Sequence, residues 1–430
     1  MPTASDSGRT VGPDSARDVR PPGGSGGSVR EVFLVATRLG LTSFGGPIAH
    51  LGYFRSEYVT RRGWFDERTY ADLVALCQFL PGPASSQLGI AIGTLRAGVA
   101  GGIAAWLGFT LPSAIALVAF GLLTVRFDVS GAGWLHGLML VAASVVALAV
   151  IQMARRLTPD GRRIAIAAVA AAISIAFASP FTQVVLIVAG GMVGIPLLRG
   201  VLARQAAEST ATAAPPTPLP VPIGRRAGVA ALTAFVILLL GLPLARELAP
   251  SQPLAMADTF YRAGALVFGG GHLILPLLHG PVVGSGWVSE STFLGGYGAA
   301  QAVPGPLSTF AAYLGAVMIP APNGIPGAAL ALGAIFLPSF LLVFGALPFW
   351  HQLRASPRAG AMLAGTNAVV VGILAAALWT PIWTSSVHSV IDLAVVAAAF
   401  GLLAGLRLPP WVVVVLGALA GQALQGFGLS

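Results

Sequence analysis

Lysine is absent from this 430-residue chain: all 24 basic residues are arginine. Charge of any kind is scarce, at 9% of residues, against 56% that are hydrophobic. That balance excludes a soluble globular domain and fits a polytopic membrane protein. The formal charge is +9, which in a soluble protein would suggest nucleic acid. Here the arginines lie mostly in short loops between apolar runs, so they report topology and not a nucleic-acid partner. The single cysteine, Cys77, excludes an intrachain disulfide and gives no metal cluster. There is no Walker A sequence, metal-ligand spacing, nucleophile elbow or dinucleotide fingerprint. No metal and no cofactor is expected, nor an ATP-driven pump complete in itself. Residues 1–30 are rich in Gly, Pro, Ser, Asp and Arg and lack an apolar h-region. They read as a disordered cytoplasmic tail and not as a cleavable signal peptide.

What is present is one unit written twice. Arg38-Leu-Gly-Leu-Thr-Ser-Phe44-Gly-Gly returns as Arg262-Ala-Gly-Ala-Leu-Val-Phe268-Gly-Gly, an offset of 224 (262 − 38 = 224). Trp64, Gln78 and Pro81-Gly82-Pro83 return as Trp287, Gln301 and Pro304-Gly305-Pro306 at an offset of 223 (301 − 78 = 223). Leu111-Pro112-Ser113 returns as Leu337-Pro338-Ser339 at 226 (338 − 112 = 226). A repeated membrane unit with a matched cation in each copy suits a small-anion transporter.

Apolar runs fall at about 31–51, 71–95, 98–123, 133–154, 163–179 and 181–200, then at 227–246, then at 258–279, 292–317, 326–348, 361–380, 387–405 and 409–427. Each is about long enough for a ~30 Å hydrocarbon core. The expected fold is all-α and polytopic. Two inverted repeats of about six segments each, broken or re-entrant helices included, 31–202 and 255–428, are joined through a linker, 203–226, and one linking helix, 227–248. Six crossings return the chain to its starting side, and the linking helix starts the second copy from the opposite face. With the N-terminus inside, Arg96, Arg155, Arg156, Arg162, Arg163, Arg199, Arg204, Arg225, Arg226, Arg354, Arg358 and Arg407 all fall in cytoplasmic loops. Arg61, Arg62 and Arg68 fall outside on this count, a conflict that a re-entrant pair of segments would remove.

Several repeated residues are candidates for chemistry. Arg38 and Arg262 each bear a mid-membrane cost of at least ~2.5–3.5 kcal/mol. A guanidinium fork suits an oxyanion, although each arginine also lies near enough its helix start to snorkel to the interface. Gly45-Gly46-Pro47 and Gly269-Gly270 read as helix breaks, or as sites of close packing. In Gln78 to Pro83 and Gln301 to Pro306, two prolines bracket a glycine: Pro81, Gly82 and Pro83, then Pro304, Gly305 and Pro306. Each ends one half-helix and aims the N-terminus of another into the gap. Ser85, Ser86, Ser308 and Thr309 add hydroxyls in that first turn. His50, Glu57 and His272 are proton-coupling candidates. For Glu67 and Glu290, which share the 223 offset (290 − 67 = 223), capping is the better reading.

The strings Ser43-Phe44-Gly45-Gly46-Pro47-Ile48-Ala49-His50 and Gln78-Phe79-Leu80-Pro81-Gly82-Pro83-Ala84-Ser85-Ser86-Gln87 resemble the long-form chromate transporter family. So do Phe268 to His272 and Gly298 to Pro306. The resemblance covers about 31–427. Ser308 stands where the family usually has an aromatic residue, and Gly284-Ser285 replaces a more proline-rich turn. The resemblance implies a non-enzymatic bacterial inner-membrane protein that exports chromate down the electrochemical gradient, with sulfate as the near-isosteric competitor. Its expected partners are chromate or sulfate and the lipid bilayer, with homodimerisation left open. A sulfate importer or exchanger, a passive anion channel and a membrane redox enzyme are the alternatives.

Overall fold

The computed structural model describes residues 27–127, 131–210, 221–268, 271–354 and 356–428. The expected tail up to residue 26, and the part of the linker at 211–220, lie outside the described residues. Those residues form helices without strands. The first half holds α1 (Val29–Thr42), α2 (Gly46–Phe54, continued by a π-helical stretch Arg55–Arg61), α3 (Glu67–Phe79), α4 (Ala84–Phe127), α5 (Gly133–Leu157), α6 (Gly161–Ala176) and α7 (Pro180–Thr210). The linking helix is α8 (Arg225–Leu248). The second half holds α9 (Gln252–Leu266), α10 (Ile274–Val283), α11 (Glu290–Ala300), α12 (Phe310–Val317) and α13 (Gly324–Ala346). It continues with α14 (Trp350–Arg354), α15 (Pro357–Ala377), α16 (Thr384–Ser386), α17 (Val390–Ala404) and α18 (Pro410–Gly426).

Helix α4 is two rods. Ala97 and Gly98 leave helical geometry (φ −143° and +68°), dividing it into an arm of residues 84–96 and an arm of residues 99–127. A Cβ on Gly93 would lie 2.3 Å from the Gly101 carbonyl oxygen and 2.8 Å from the Ala105 side chain. A straight helix would hold residues 93 and 105 about 18 Å apart, so the arms fold back on each other. In the second half α12 and α13 repeat this contact, with a Gly315 Cβ 2.3 Å from the Gly327 oxygen.

Of the two readings left open for runs 31–51 and 71–95, full crossing or a re-entrant pair, the contacts favour the second. Glu31, at the start of α1, accepts from Arg62, past the end of α2, at 3.3 Å, and lies 3.9 Å from Arg96, at the end of the short α4 arm. The Arg62 and Arg96 guanidinium groups lie 5.5 and 5.1 Å from the Trp64 ring centroid. The start of α1, the end of α2, the start of α3 and the end of the short arm therefore meet at one face. Residues 29–61 and 67–96 are two hairpins that dip in and return. Their turns are the Gly45-Gly46 break and the Pro-Gly-Pro break. Arg61 and Arg62 accordingly share a face with Arg96, and the charge conflict disappears. The α11–α12 hairpin closes the same way, with Ile319 N–H donating to the Trp287 oxygen at 2.9 Å.

Polar side chains cap several helix starts. Ser28, Asp66, Asp160, Ser289, Ser356 and Ser389 each accept a backbone N–H at the start of α1, α3, α6, α11, α15 and α17. Helix α2, which begins at an internal break, has no side-chain cap. The starts of α5, α8, α9, α13 and α18 likewise have no side-chain cap bond.

After the hairpins, the long α4 arm, α5, α6 and α7 traverse the slab in the first half, and α13, α15, α17 and α18 in the second. Among these and α8, six helices are long and apolar enough to span alone. Helices α6, α17 and α18, of 16, 15 and 17 residues, are shorter. Four traverses restore the starting face and α8 changes it, so the halves are inverted. They also interlock. Helix α5 packs on α17 and α18 of the other half, and α15 packs on α6 and α7. Gly137 meets Gly417, and Gly194 meets Gly365, backbone against backbone, the close approach that small residues allow within a membrane.

Candidate functional site

The Gly45-Gly46 break, both Pro-Gly-Pro loops and the end of α9 at Val267 meet at the centre. Gly82 N–H donates to the Val267 oxygen at 2.5 Å, and Gly305 N–H donates to the Ser43 oxygen at 3.0 Å. Each Pro-Gly-Pro loop thus reaches across to the other half's first break. The two bonds are copies, because 43 and 267 differ by 224 and 82 and 305 by 223. Gly82 and Gly305 adopt φ of +129° and +105°, which disfavours any side chain. A Cβ on Gly82 would lie 3.1 Å from the Ser339 hydroxyl, and one on Gly305 would lie 2.8 Å from the Ser113 hydroxyl. The repeated Leu-Pro-Ser segments therefore wall the opposite half's loop.

These bonds correct part of the expected cradle. The Gly82 and Gly305 amides are already used on carbonyls. The remaining donors are in the first turn of the short α4 arm, where Gln87 N–H bonds to the Pro83 oxygen. Ser85 and Ser86 are buried there, and the Ser86 hydroxyl has no partner among the described residues. In the second half Ser308 and Thr309 are buried, and the Thr309 hydroxyl bonds back to the Pro306 oxygen.

A cavity of about 470 Å³ lies over the first-half breaks. Gly45, Gln78, Gly82, Ala84 and His272 line its inner part, and Gln152, Arg156, Trp350, Arg354 and Asn367 line its walls. Arg156, at the end of α5, donates to the Gln78 side-chain oxygen at 3.1 Å. Arg155 and Arg156 also line an adjoining groove with Gly45, Ala49 and Gln152. Arg354 pairs with Asp72 of α3. The cavity opens toward the face that carries Arg62 and Arg96. At the other end of α5, His136 and Asp392 pair at 2.8 Å in a separate pocket, where Asp392 also accepts the His388 and Ser389 N–H groups.

The structure does not bring the matched arginines into this cavity. Arg38 is exposed on α1, and its guanidinium has no partner among the described residues. Arg262 donates to Asp258 at 2.5 Å, and Arg246 of α8 reaches the same oxygen at 3.4 Å. Asp258 is fully buried; the corresponding first-half position, 258 − 224 = 34, is Leu34. Glu57 is held by Arg61 and Arg62 at 3.0 and 2.7 Å, at the face and away from the cavity. His50 is buried 3.2 Å from the Ser43 oxygen and edge-on to Phe109. His272 lines the cavity and bonds to the Tyr297 hydroxyl at 2.8 Å. Gln78 lines the cavity, whereas Gln301 leaves a buried side-chain nitrogen without a partner among the described residues. Gly46 has φ +78°; Gly269 and Gly270 lie outside the described residues.

Sequence reasoning missed Arg155 and Arg156 as site residues, because charge after an apolar run reads as topology. It also missed Asp258, although its spacing of four from Arg262 is the helix-pair signal.

The family described as chromate transporter matches residues 30–195 and 254–422. A probable chromate transport protein of Synechococcus elongatus is 28% identical over 408 residues, covering 92% of this chain and 95% of that protein. Chromate transport proteins of Cupriavidus metallidurans and Pseudomonas aeruginosa are 27% and 28% identical, covering 82% and 81% of this chain and 82% and 80% of their own lengths. No solved structure matches.

Proposed function

Because the chain belongs to the chromate transporter family, we propose that it exports chromate from the cytoplasm by alternating access and so confers chromate resistance. The observation that carries this reading is the cavity over the first-half breaks, with a half-helix N-terminus at its base and arginines in its lining. The relatives named above, described as chromate transport proteins, support the substrate. The gathering of Arg62, Arg96, Arg155, Arg156 and Arg354 on one side supports reading that side as cytoplasmic, with the N-terminus on it. The membrane is then the bacterial inner membrane, and the cavity is open to the cytoplasm. The repeats are taken as 31–202 and 255–428.

A dianion leaving an inside-negative cell gains about 2.3 kcal/mol per charge per 100 mV, or roughly 4.6 kcal/mol for two charges. That sustains a gradient on the order of 10³, so potential alone suffices and proton antiport is an addition. Sulfate, with the same shape and charge, is the second reading. Everted vesicles should accumulate radiolabelled chromate when a potential is imposed. No potential-dependent uptake would refute export, and uptake abolished by equimolar sulfate would favour the second reading.

A further inference from the structure

Charge accounting around the cavity singles out the end of α5. The Arg354 charge is spent on Asp72, that of Arg262 on Asp258, and that of Arg163 on Asp160. Arg162 donates to the Leu197 oxygen, and Arg38 lies outside the cavity lining. Arg155 and Arg156 have no carboxylate partner among the described residues, and both face the groove that continues the cavity. Two uncompensated guanidinium groups match the charge of one dianion. Arg156 is held only by a neutral acceptor, the Gln78 side-chain oxygen at 3.1 Å.

We infer that Arg155 and Arg156 form the charge-matching site for a tetrahedral oxyanion dianion, and that the anion displaces the Gln78 oxygen from Arg156. The inference rests on the transport reading above and names the residues that would recognise the substrate. The Gln78 oxygen is a neutral acceptor, whereas an oxyanion adds direct Coulomb attraction to the guanidinium and accepts two bonds from its fork, so an oxyanion displaces the amide. Guanidinium offers a planar fork to two oxygens of the tetrahedron, which an ammonium does not. The exchange also reaches the centre. Gln78 lies three residues before Pro81, and Gly82 is bonded to Val267 of the other half. Releasing Gln78 therefore frees the tip of α3 at the point where the two halves are joined, which couples occupancy to the break that must move. Gln78 serves as a positioning residue for Arg156 when the site is empty.

The test is equilibrium binding of radiolabelled chromate and sulfate to the purified full-length protein, with nitrate as a monoanion control, in nanodiscs made with and without anionic phospholipid. Wild type should bind both dianions better than nitrate in both nanodiscs. Arg156→Gln should lose about tenfold or more in affinity, Arg155→Gln less, and Arg156→Lys should fall between, since it keeps charge without the fork. Gln78→Glu should also weaken binding about tenfold, because a carboxylate would hold Arg156 against the anion. Arg156→Gln and Gln78→Glu proteins that bind like wild type overturn the inference while leaving transport intact. A wild type that binds neither dianion overturns both. Binding seen only without anionic lipid assigns the arginines to lipid phosphate and overturns the inference. If Arg156→Gln does not purify as a single species, Gln78→Glu decides.

Discussion

The two halves treat the same arginine in opposite ways. In the first half Arg38 stands exposed on α1 without a partner among the described residues, and the residue one turn before it is Leu34. In the second half Arg262 is locked to the fully buried Asp258, with Arg246 of α8 beside it. The Pro-Gly-Pro loops behave differently. Gly82 and Gly305 make matching cross-half bonds and meet matching serines of the opposite half, Ser339 and Ser113. The backbone at the centre therefore keeps the two-fold relation, while the charges around it do not. If the halves exchange roles as the site turns from one face to the other, both breaks must be equivalent, whereas charge is needed only where the anion rests.

The largest effect is expected where the symmetry holds. Gly305→Ala puts a side chain at φ +105° and 2.8 Å from the Ser113 hydroxyl, at a cost of about 1–3 kcal/mol from the backbone alone. Thermal unfolding should fall and chromate flux should be nearly lost. The same result in Gly82→Ala would confirm equivalence, and a silent Gly305→Ala would break it. Next comes the second-half ion pair. Arg262→Ala leaves Asp258 to Arg246 alone. Because Arg262 is itself 32% exposed, the cost is about 1–3 kcal/mol, less than for a fully buried pair. The double change Asp258→Leu with Arg262→Ala, which copies the first half's Leu34, should regain much of that stability in a denaturation assay. If it regains none, the pair does more than balance charge. The smallest effect belongs to Arg38→Ala, with stability expected within about 0.5 kcal/mol of wild type and chromate binding close to it. A loss of binding as large as that of Arg156→Gln would return Arg38 to the site.

Much of this was legible in the residues. The offsets of 223 to 226 show the repeat, and the inverted orientation follows from one odd linking helix. The positions of the breaks follow from proline and glycine. The hairpins were hidden, because an apolar run of about 20 residues looks the same whether it crosses or dips and returns. Only the arginines at 61, 62 and 68 hinted otherwise. The use of the Gly82 and Gly305 amides was not readable, since their acceptors lie about 180 and 260 residues away in sequence and nothing local distinguishes a free N–H from a bonded one. Arg156 was concealed by its own helix. An arginine ending a membrane helix satisfies the topology rule whether or not it also faces a cavity.

The central claim is that two inverted halves enter from opposite faces, each through hairpins that return to the side they came from. Single cysteines at Gly63, Arg358 and Asn323 in a Cys77→Ser background, labelled with a membrane-impermeant thiol reagent, test it directly. The account predicts that positions 63 and 358 react only in everted vesicles and position 323 only in intact cells. Labelling of position 63 from the same side as position 323 would contradict it.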